Sequence, residues 1–338
     1  MHRQLKTFIY ILLFAAPVLA GAQFLPEPVQ YVINPEVPGP NQAVTIEAQG
    51  IGAFLGDATI TWTVGGKVAQ SGIGLRTYTF VTGGVGSVTN IRVEIKSSSN
   101  GSFSKDFVFR PSTINLVWEA NTSVPPLYGG KPLYSAGSPL KVVAFPTVVI
   151  NGARVAPQSL SFQWMRQDQA LPAQSGLGRN TLSFDGDQLQ PQEEIGLKVY
   201  FGQNLVAQGG IIVPVSEPQL ALYQRDSLRG VLYDTALPRG IALNDKEITI
   251  VAQPYFFSNT ALAAGALEYA WTLDGNDTTG PDAARGILTL RQTGGGEGQA
   301  NLAATLQNTN VDQLIQSAQT MMQIVFGAQS TGTSLFGL

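Results

Sequence analysis

The 338-residue chain contains no cysteine and a single histidine, His2. Without thiolates there are no disulfides, no cysteine-ligated zinc and no cysteine nucleophile, and one histidine at the second position supplies no base for a Ser-His-Asp arrangement. Charge is also sparse. Lys, Arg, Asp and Glu make up 13% of the residues, about half of what an ordinary soluble chain carries. The formal net charge is −3 and no Lys/Arg run interleaves with aromatics, which excludes the counterion-releasing phosphate contacts of a nucleic-acid binder. What is abundant is 44% hydrophobic residues together with 37 Gly and 20 Pro, a composition of strands and turns rather than charged helices.

The N-terminus has three parts in order: a basic stretch with His2, Arg3 and Lys6, an apolar run opening Phe8-Ile-Tyr-Ile-Leu-Leu-Phe, and the small residues Ala20-Gly21-Ala22. This is the pattern of a Sec-type signal peptide, with cleavage expected between Ala22 and Gln23. Pro17 limits the apolar run to about 15 residues, short of the roughly 20 that a membrane span needs. No later segment reaches about 18 consecutive apolar residues. The expectation is therefore a secreted, periplasmic or cell-surface protein that meets the membrane only during export. An exported chain of this size without cysteine also fits a bacterial source.

Three short alternating strands are centred on tryptophan: Ala58-Thr-Ile-Thr-Trp62, Leu160-Ser-Phe-Gln-Trp164 and Leu267-Glu-Tyr-Ala-Trp271. Their tryptophans lie 102 and 107 residues apart, about the length of one immunoglobulin-type sandwich. A second marker follows each. Ser71-Gly-Ile-Gly-Leu-Arg-Thr-Tyr-Thr-Phe80 matches Ser175-Gly-Leu-Gly-Arg-Asn-Thr-Leu-Ser-Phe184, and Arg285-Gly-Ile-Leu-Thr-Leu290 is a degenerate third copy. Upstream of each Trp sits a period-two apolar segment, Ala43–Ala48, Leu140–Phe145 and Glu247–Ala252, and downstream come paired segments such as Ile91–Ile95 with Phe107–Phe109. The last such pair, Ala300–Leu306 with Met321–Phe326, carries an ambiguity, because Val311–Phe326 also reads as an amphipathic helix.

Proline-bearing joints at Arg110-Pro111-Ser112 and Pro214–Pro218 divide these units. The expected organisation is a signal peptide at 1–22, modules at 23–111, 112–216 and 217–328, and a C-terminal tail at 329–338. The fold class expected is all-β: three tandem antiparallel β-sandwiches.

The tracts Ile60-Thr-Trp62-Thr-Val-Gly-Gly and Tyr269-Ala-Trp271-Thr-Leu-Asp-Gly275 resemble the W-x-apolar-N/D-G segment of PKD-type and related immunoglobulin-like modules of bacterial surface proteins. The second repeat departs from that pattern, with Gln167-Asp168-Gln169 in place of the glycine turn. The resemblance implies extracellular stalks, spacers and adhesion or binding units, and implies no enzyme.

Each chemical candidate meets a structural alternative. Trp62, Trp164 and Trp271 are expected to be the core pins of their sandwiches rather than sugar platforms. Trp118, without a Trp counterpart in the other repeats, is expected at an interdomain contact. Asp185-Gly-Asp187, Glu193-Glu194 and Asp274-Gly-Asn-Asp277 place carboxylates together, but at turn-like positions without EF-hand spacing, so neither a metal site nor a catalytic pair is assigned. The run Thr293-Gly-Gly-Gly-Glu-Gly298 lacks the lysine of a phosphate loop.

The aromatic stretch Tyr255, Phe256, Phe257 is the richest of three apolar stretches at corresponding places, the others being Phe54-Leu55 and Val148–Ile150. It is the expected binding surface. The function these residues point to is a non-enzymatic, multi-module structural, adhesion or scaffolding protein. It needs no cofactor, and its partners are other envelope or surface proteins. The alternative is a glycan-binding protein using Tyr128, Tyr134, Tyr233 and Tyr255–Phe257. N-terminal sequencing of exported material is expected to start at Gln23; retention of Met1 in a membrane fraction would reject the cleavage site.

Overall fold

The computed structural model describes residues 29–50, 55–98, 101–243, 245–310 and 316–327. The expected signal peptide, its cleavage point, Phe54 and the C-terminal tail lie outside the described residues. Within them three β-sandwiches follow one another, each with its own hydrophobic cluster. No helix among the described residues is long and apolar enough to cross a membrane.

Each sandwich pairs two antiparallel sheets of repeated order. In the first, Val29–Asn34, Ala43–Gly50 and Thr77–Val81 form one sheet, and Lys67–Ile73, Thr59–Val64, Thr89–Ser97 and Gly101–Phe109 the other. In the second, Thr113–Ala120, Pro139–Thr147 and Thr181–Asp185 face a sheet built on Ser161–Arg166, Gln192–Phe201 and Asn204–Pro214. In the third, Gln219–Asp226, Glu247–Tyr255 and Ile287–Arg291 face Leu267–Leu273, Gly298–Asn308 and Ser317–Phe326. The third adds Gly240–Leu243, which pairs in parallel with Ser317–Phe326. Residues 317–326 are thus a strand, and the helical alternative fails because that segment pairs along its length with Gly298–Asn308.

Period-two patterning explains the cores. Val44, Ile46 and Ala48 point inward from one sheet and Ile91, Val93 and Ile95 from the other. The second sandwich repeats this with Leu140, Val142 and Ala144 against Ile195, Leu197 and Val199, and the third with Ile248, Ile250 and Ala252 against Leu302, Ala304 and Leu306. Alternation of this kind sends one side chain in two to the core of a sheet packed on one face.

Between the sheets lie Trp62, Trp164 and Trp271, all buried. Each indole N–H donates to a backbone carbonyl of the segment entering the opposite sheet: Leu75 at 2.9 Å, Arg179 at 2.9 Å and Ala283 at 3.1 Å. The second sequence marker builds that acceptor. Gly74 and Gly178 take φ of +69° and Gly286 takes +78°, bending the chain between sheets. The adjacent carbonyls of Arg76, Asn180 and Gly286 then accept from Ala48, Ala144 and Ala252 N–H at 2.9, 2.8 and 2.8 Å. Gly286 is constrained twice over, since a Cβ there would lie 2.7 Å from the Tyr269 ring and 3.0 Å from the Ala252 carbonyl. In the third sandwich a short 3-10 turn, Ala283–Arg285, shifts the acceptor upstream, which is why this copy reads as degenerate.

The hairpin after each Trp strand has two consecutive left-handed residues. These are Gly65 and Gly66 in the first sandwich, Asp274 and Gly275 in the third, and in the second Gln167 and Asp168 at φ +49° and +59°. The second repeat therefore keeps the turn geometry without its glycines, at a local conformational cost.

Replacing Trp164 by Ala is expected to cost its sandwich ~3–5 kcal/mol through the cavity left behind. Trp164→Phe, which keeps much of the apolar volume but leaves the Arg179 carbonyl without its donor, is expected to cost ~1–3 kcal/mol. Urea unfolding of the two variants checks both the magnitudes and their order.

Candidate functional site: the joint between the second and third sandwiches

The aromatic stretch singled out in the sequence lies against the second sandwich. Between Thr113–Ala120 and Pro139–Thr147 the chain makes an excursion, residues 121–138, whose start pairs with the segment after Glu247–Tyr255. Ser123 N–H donates to the Phe257 carbonyl at 2.7 Å and Phe256 N–H to the Ser123 carbonyl at 2.7 Å. Asn259 N–H donates to the Asn121 carbonyl, and the two Asn side chains join at 3.1 Å. Phe257 N–H also reaches Ser123 Oγ at 3.1 Å.

A buried glutamine closes the joint from the third sandwich. The Gln316 carboxamide nitrogen faces Ser135 Oγ at 3.1 Å, the Ala136 carbonyl at 2.8 Å and Ser138 Oγ at 2.8 Å. Its oxygen accepts from Ser258 N–H at 3.0 Å and from Asn308 Nδ2 at 3.1 Å. The side chain is 1% exposed. A buried amide satisfied on both ends is strongly oriented, because displacing it would strand several polar groups without water.

At the rim an aromatic chain runs across the joint. Tyr128 meets Tyr255 edge-on at 5.8 Å and Phe256 at 6.3 Å. Tyr255 shares a hydrogen bond with the Tyr223 hydroxyl, and Tyr223 meets Tyr233 at 5.3 Å. Burial, then the hydrogen bond to Tyr223, raises the Tyr255 phenol above the ordinary tyrosine range. Phe256 takes φ +63°, an uncommon conformation for an aromatic residue.

These positions correct part of the sequence reading. Phe256 is nearly buried and Phe257 wholly so, with Phe257 inside the third hydrophobic cluster. They therefore offer no free binding face; only half-buried Tyr255 and the more exposed Tyr128 remain at the rim. Trp118 does not mark a joint either: it packs on the second sandwich's own cluster, with Lys131 Nζ 3.1 Å from its ring centroid.

Tyr134, an aromatic that glycan binding would need exposed, is fully buried. It donates to Glu193 Oε1 at 2.8 Å, and Arg166 holds Glu193 through Nε at 2.7 Å and its terminal nitrogen at 2.8 Å. Asp187 N–H adds a fourth donor at 3.1 Å. Burial, reinforced by the bond to Glu193, pushes the Tyr134 phenol well above its usual range. The Tyr134 carbonyl accepts from Ser216 N–H at 2.7 Å, so this buried hub ties together the excursion, the core and the chain leading into the third sandwich. The sequence showed Glu193-Glu194 only as an acidic pair; its partner Arg166, immediately before the Gln167-Asp168 turn of the Trp strand, carried no signal of its own. Among the described residues no three His, Cys, Asp or Glu side chains are grouped to hold a metal ion.

No protein-family model and no curated protein matches the chain. Among solved structures it is similar to the three N-terminal domains of the bacteriophage RB49 Highly Immunogenic Outer Capsid protein, at 12% identity over 89% of this chain and 99% of that one, TM-score 0.26. It is also similar to the central fibronectin-III array of RIM-binding protein, at 10% identity over 88% and 97% of the two chains, TM-score 0.29. A third similarity is to the Bacteroides ovatus mixed-linkage glucan utilization locus protein SGBP-B in complex with a heptasaccharide, at 10% identity over 88% and 70%, TM-score 0.22. The strand order and the three separate cores make the described chain a tandem of immunoglobulin-like β-sandwiches.

Arg166→Met is expected to destabilise the second sandwich by ~3–5 kcal/mol, because it leaves the buried Glu193 carboxylate without its countercharge. Replacing both, Arg166→Met with Glu193→Leu, is expected to recover much of that loss. A double-mutant cycle by chemical denaturation measures both effects; equal losses in the single and double variants would show that Glu193 does not need its pair.

Proposed function

We propose that the chain is an exported, non-enzymatic spacer or scaffold of a bacterial cell surface, with modules at 23–111, 112–216 and 217–328 and other surface proteins as partners. The observation that carries this reading is the joint itself. Where a sequence reading would put a ligand surface, the aromatic stretch and Gln316 are spent on fixing one sandwich to the next. Such an arrangement holds distance and orientation along a chain, which is what a stalk or scaffold requires, and leaves the loops for contact. The glycan-binding alternative loses its best aromatics to burial, with Tyr134, Phe256 and Phe257 all enclosed.

Small-angle scattering of the full chain is expected to give an elongated particle. Gln316→Ala, which removes both ends of the amide lock, is expected to broaden the distance distribution while each sandwich keeps its fold. A glycan array is expected to come back blank. A compact particle, or sugar binding lost on Tyr128→Ala or Tyr255→Ala, would overturn the scaffold reading.

A further inference from the structure

In each sandwich the last long strand runs along the side of its sheet, and the three sides are finished differently. In the third, Gly240–Leu243 lies along that side, pairing in parallel with residues 323–326. In the first, the pairing that links Trp62 through Val93 to Lys105 puts Lys105 and Asp106 at mid-strand, with Asp106 held by Arg92 at 3.5 Å. Charges on an edge strand oppose the addition of another strand. In the second, the same pairing runs from Trp164 through Leu197 to Gly209, so the corresponding residues are Gly209 and Gly210. Asn204–Pro214 has no charged residue along its 11 residues, and among the described residues no strand pairs with its far side. Its register with Gln192–Phe201 is unbroken from Ala207 to Pro214.

The described surroundings define which part of this edge is open. Val215 N–H bonds to the Pro191 carbonyl on the sheet side, whereas Ser216 N–H reaches away to the Tyr134 carbonyl. Because backbone groups alternate in direction along a strand, Gln208, Gly210 and Ile212 turn their N–H and C=O away from the sheet. All three are exposed, Ile212 by 58%. Ser112, bonded to the Val206 carbonyl, and Pro214, which has no N–H, bound this stretch, and Gly210 is its middle residue. On the outer face Glu194 lies beside Ile212, Gly196 beside Gly210, and Lys198 beside Gln208. Gly196 and Gly210 share a shallow depression with Asp168, Glu194 and Ile212.

We propose that Asn204–Pro214 pairs antiparallel with the same strand of a second copy, about a two-fold axis at Gly210, joining two sheets into one. In that register Gly210 meets the partner's Gly210 and Gln208 meets the partner's Ile212, and each pair exchanges two N–H···O bonds. The stretch is its own complement, which is why the occupant is a second copy. The axis turns the acidic end, with Glu194 and Asp168, toward the Lys198 end of the other copy, and sets Ile212 diagonal to the partner's Gly210, where no side chain fills the surface. Such a contact is isologous and closes at a dimer. The inference goes beyond the scaffold reading, which a monomer satisfies equally well.

Sedimentation velocity on the full chain, from about 1 to 300 μM, tests it, since that range brackets the affinity of a small interface. The weight-average mass is expected to rise and level off at twice that of the monomer, while deuterium uptake by peptides spanning residues 204–214 slows over the same range. Gln208→Pro removes an edge-directed N–H at a position where an edge strand tolerates proline. Ile212→Lys places a cation on the exposed face, toward the partner's Lys198. Both are expected to weaken dimerisation at least tenfold with urea unfolding unchanged. Val108→Lys, at the corresponding and 48% exposed position of the first sandwich, is expected to dimerise like the parent. A parent that stays monomeric throughout overturns the proposal. So does association that continues past the dimer, a dimer without slowed uptake at 204–214, or one that Ile212→Lys leaves intact or Val108→Lys disrupts equally.

Discussion

A tryptophan indole can be the main filling of a small sandwich only if its N–H finds an acceptor away from water. Each of the three sandwiches meets that demand in the same manner, by bending the chain at a left-handed glycine so that a backbone carbonyl comes to the indole. Much else depends on this pin. It fixes how far apart the sheets lie, it brings the strand that follows the bend into register with the second long strand, and it ties the Trp strand to the opposite sheet by a directional bond rather than by packing alone.

With the interior of each sandwich settled in this way, the differences between the modules concentrate at their ends. The second sandwich spends a long excursion and a buried Tyr134–Glu193–Arg166 hub on its junction with the third. A buried carboxylate costs several kcal/mol to desolvate, roughly offset here by four donors, so the hub contributes a unique arrangement more than net stability. Gln316 does the equivalent across the joint with neutral groups. The first joint is of a different make: a groove of about 540 Å³ opens between Phe107–Arg110 and Val148–Ile150, and Ser112 Oγ donates to the Val206 carbonyl at 2.6 Å. One chain thus contains a filled joint and a grooved one.

Carboxylates that look clustered in one dimension are separated by their roles. Glu193 is enclosed by donors while Glu194 faces outward; Asp274 sits in a left-handed turn and accepts from Asn301 N–H at 2.8 Å. The same holds for the aromatics. Phe257 belongs to a core, Phe256 to a joint, and Tyr128 and Tyr255 to its rim.

How much of this was legible in the sequence follows from which interactions are local. The all-β class, the threefold repeat and the inward-facing triplets are written in period-two alternation, because a strand's own pleat decides which side chains share a face. The Trp-strand turns of the first and third sandwiches were legible in their glycines, whereas that of the second was not, since Gln167 and Asp168 read as a departure from the pattern and take left-handed backbone only because the hairpin imposes it. The glycines of the second marker were visible as a pattern, but their purpose, a carbonyl delivered to an indole, exists only once two sheets are stacked. The joint was not legible at all. Asn121–Ser138, Phe256–Asn259 and Gln316 stand more than a hundred residues apart at the extremes, and nothing in an exposed-looking Tyr-Phe-Phe run reveals that another sandwich covers it. Burial is a property of the assembled surface, so the sequence by itself determined three sandwiches and their cores, and tertiary structure alone decided which of their apolar residues were left for anything else to touch.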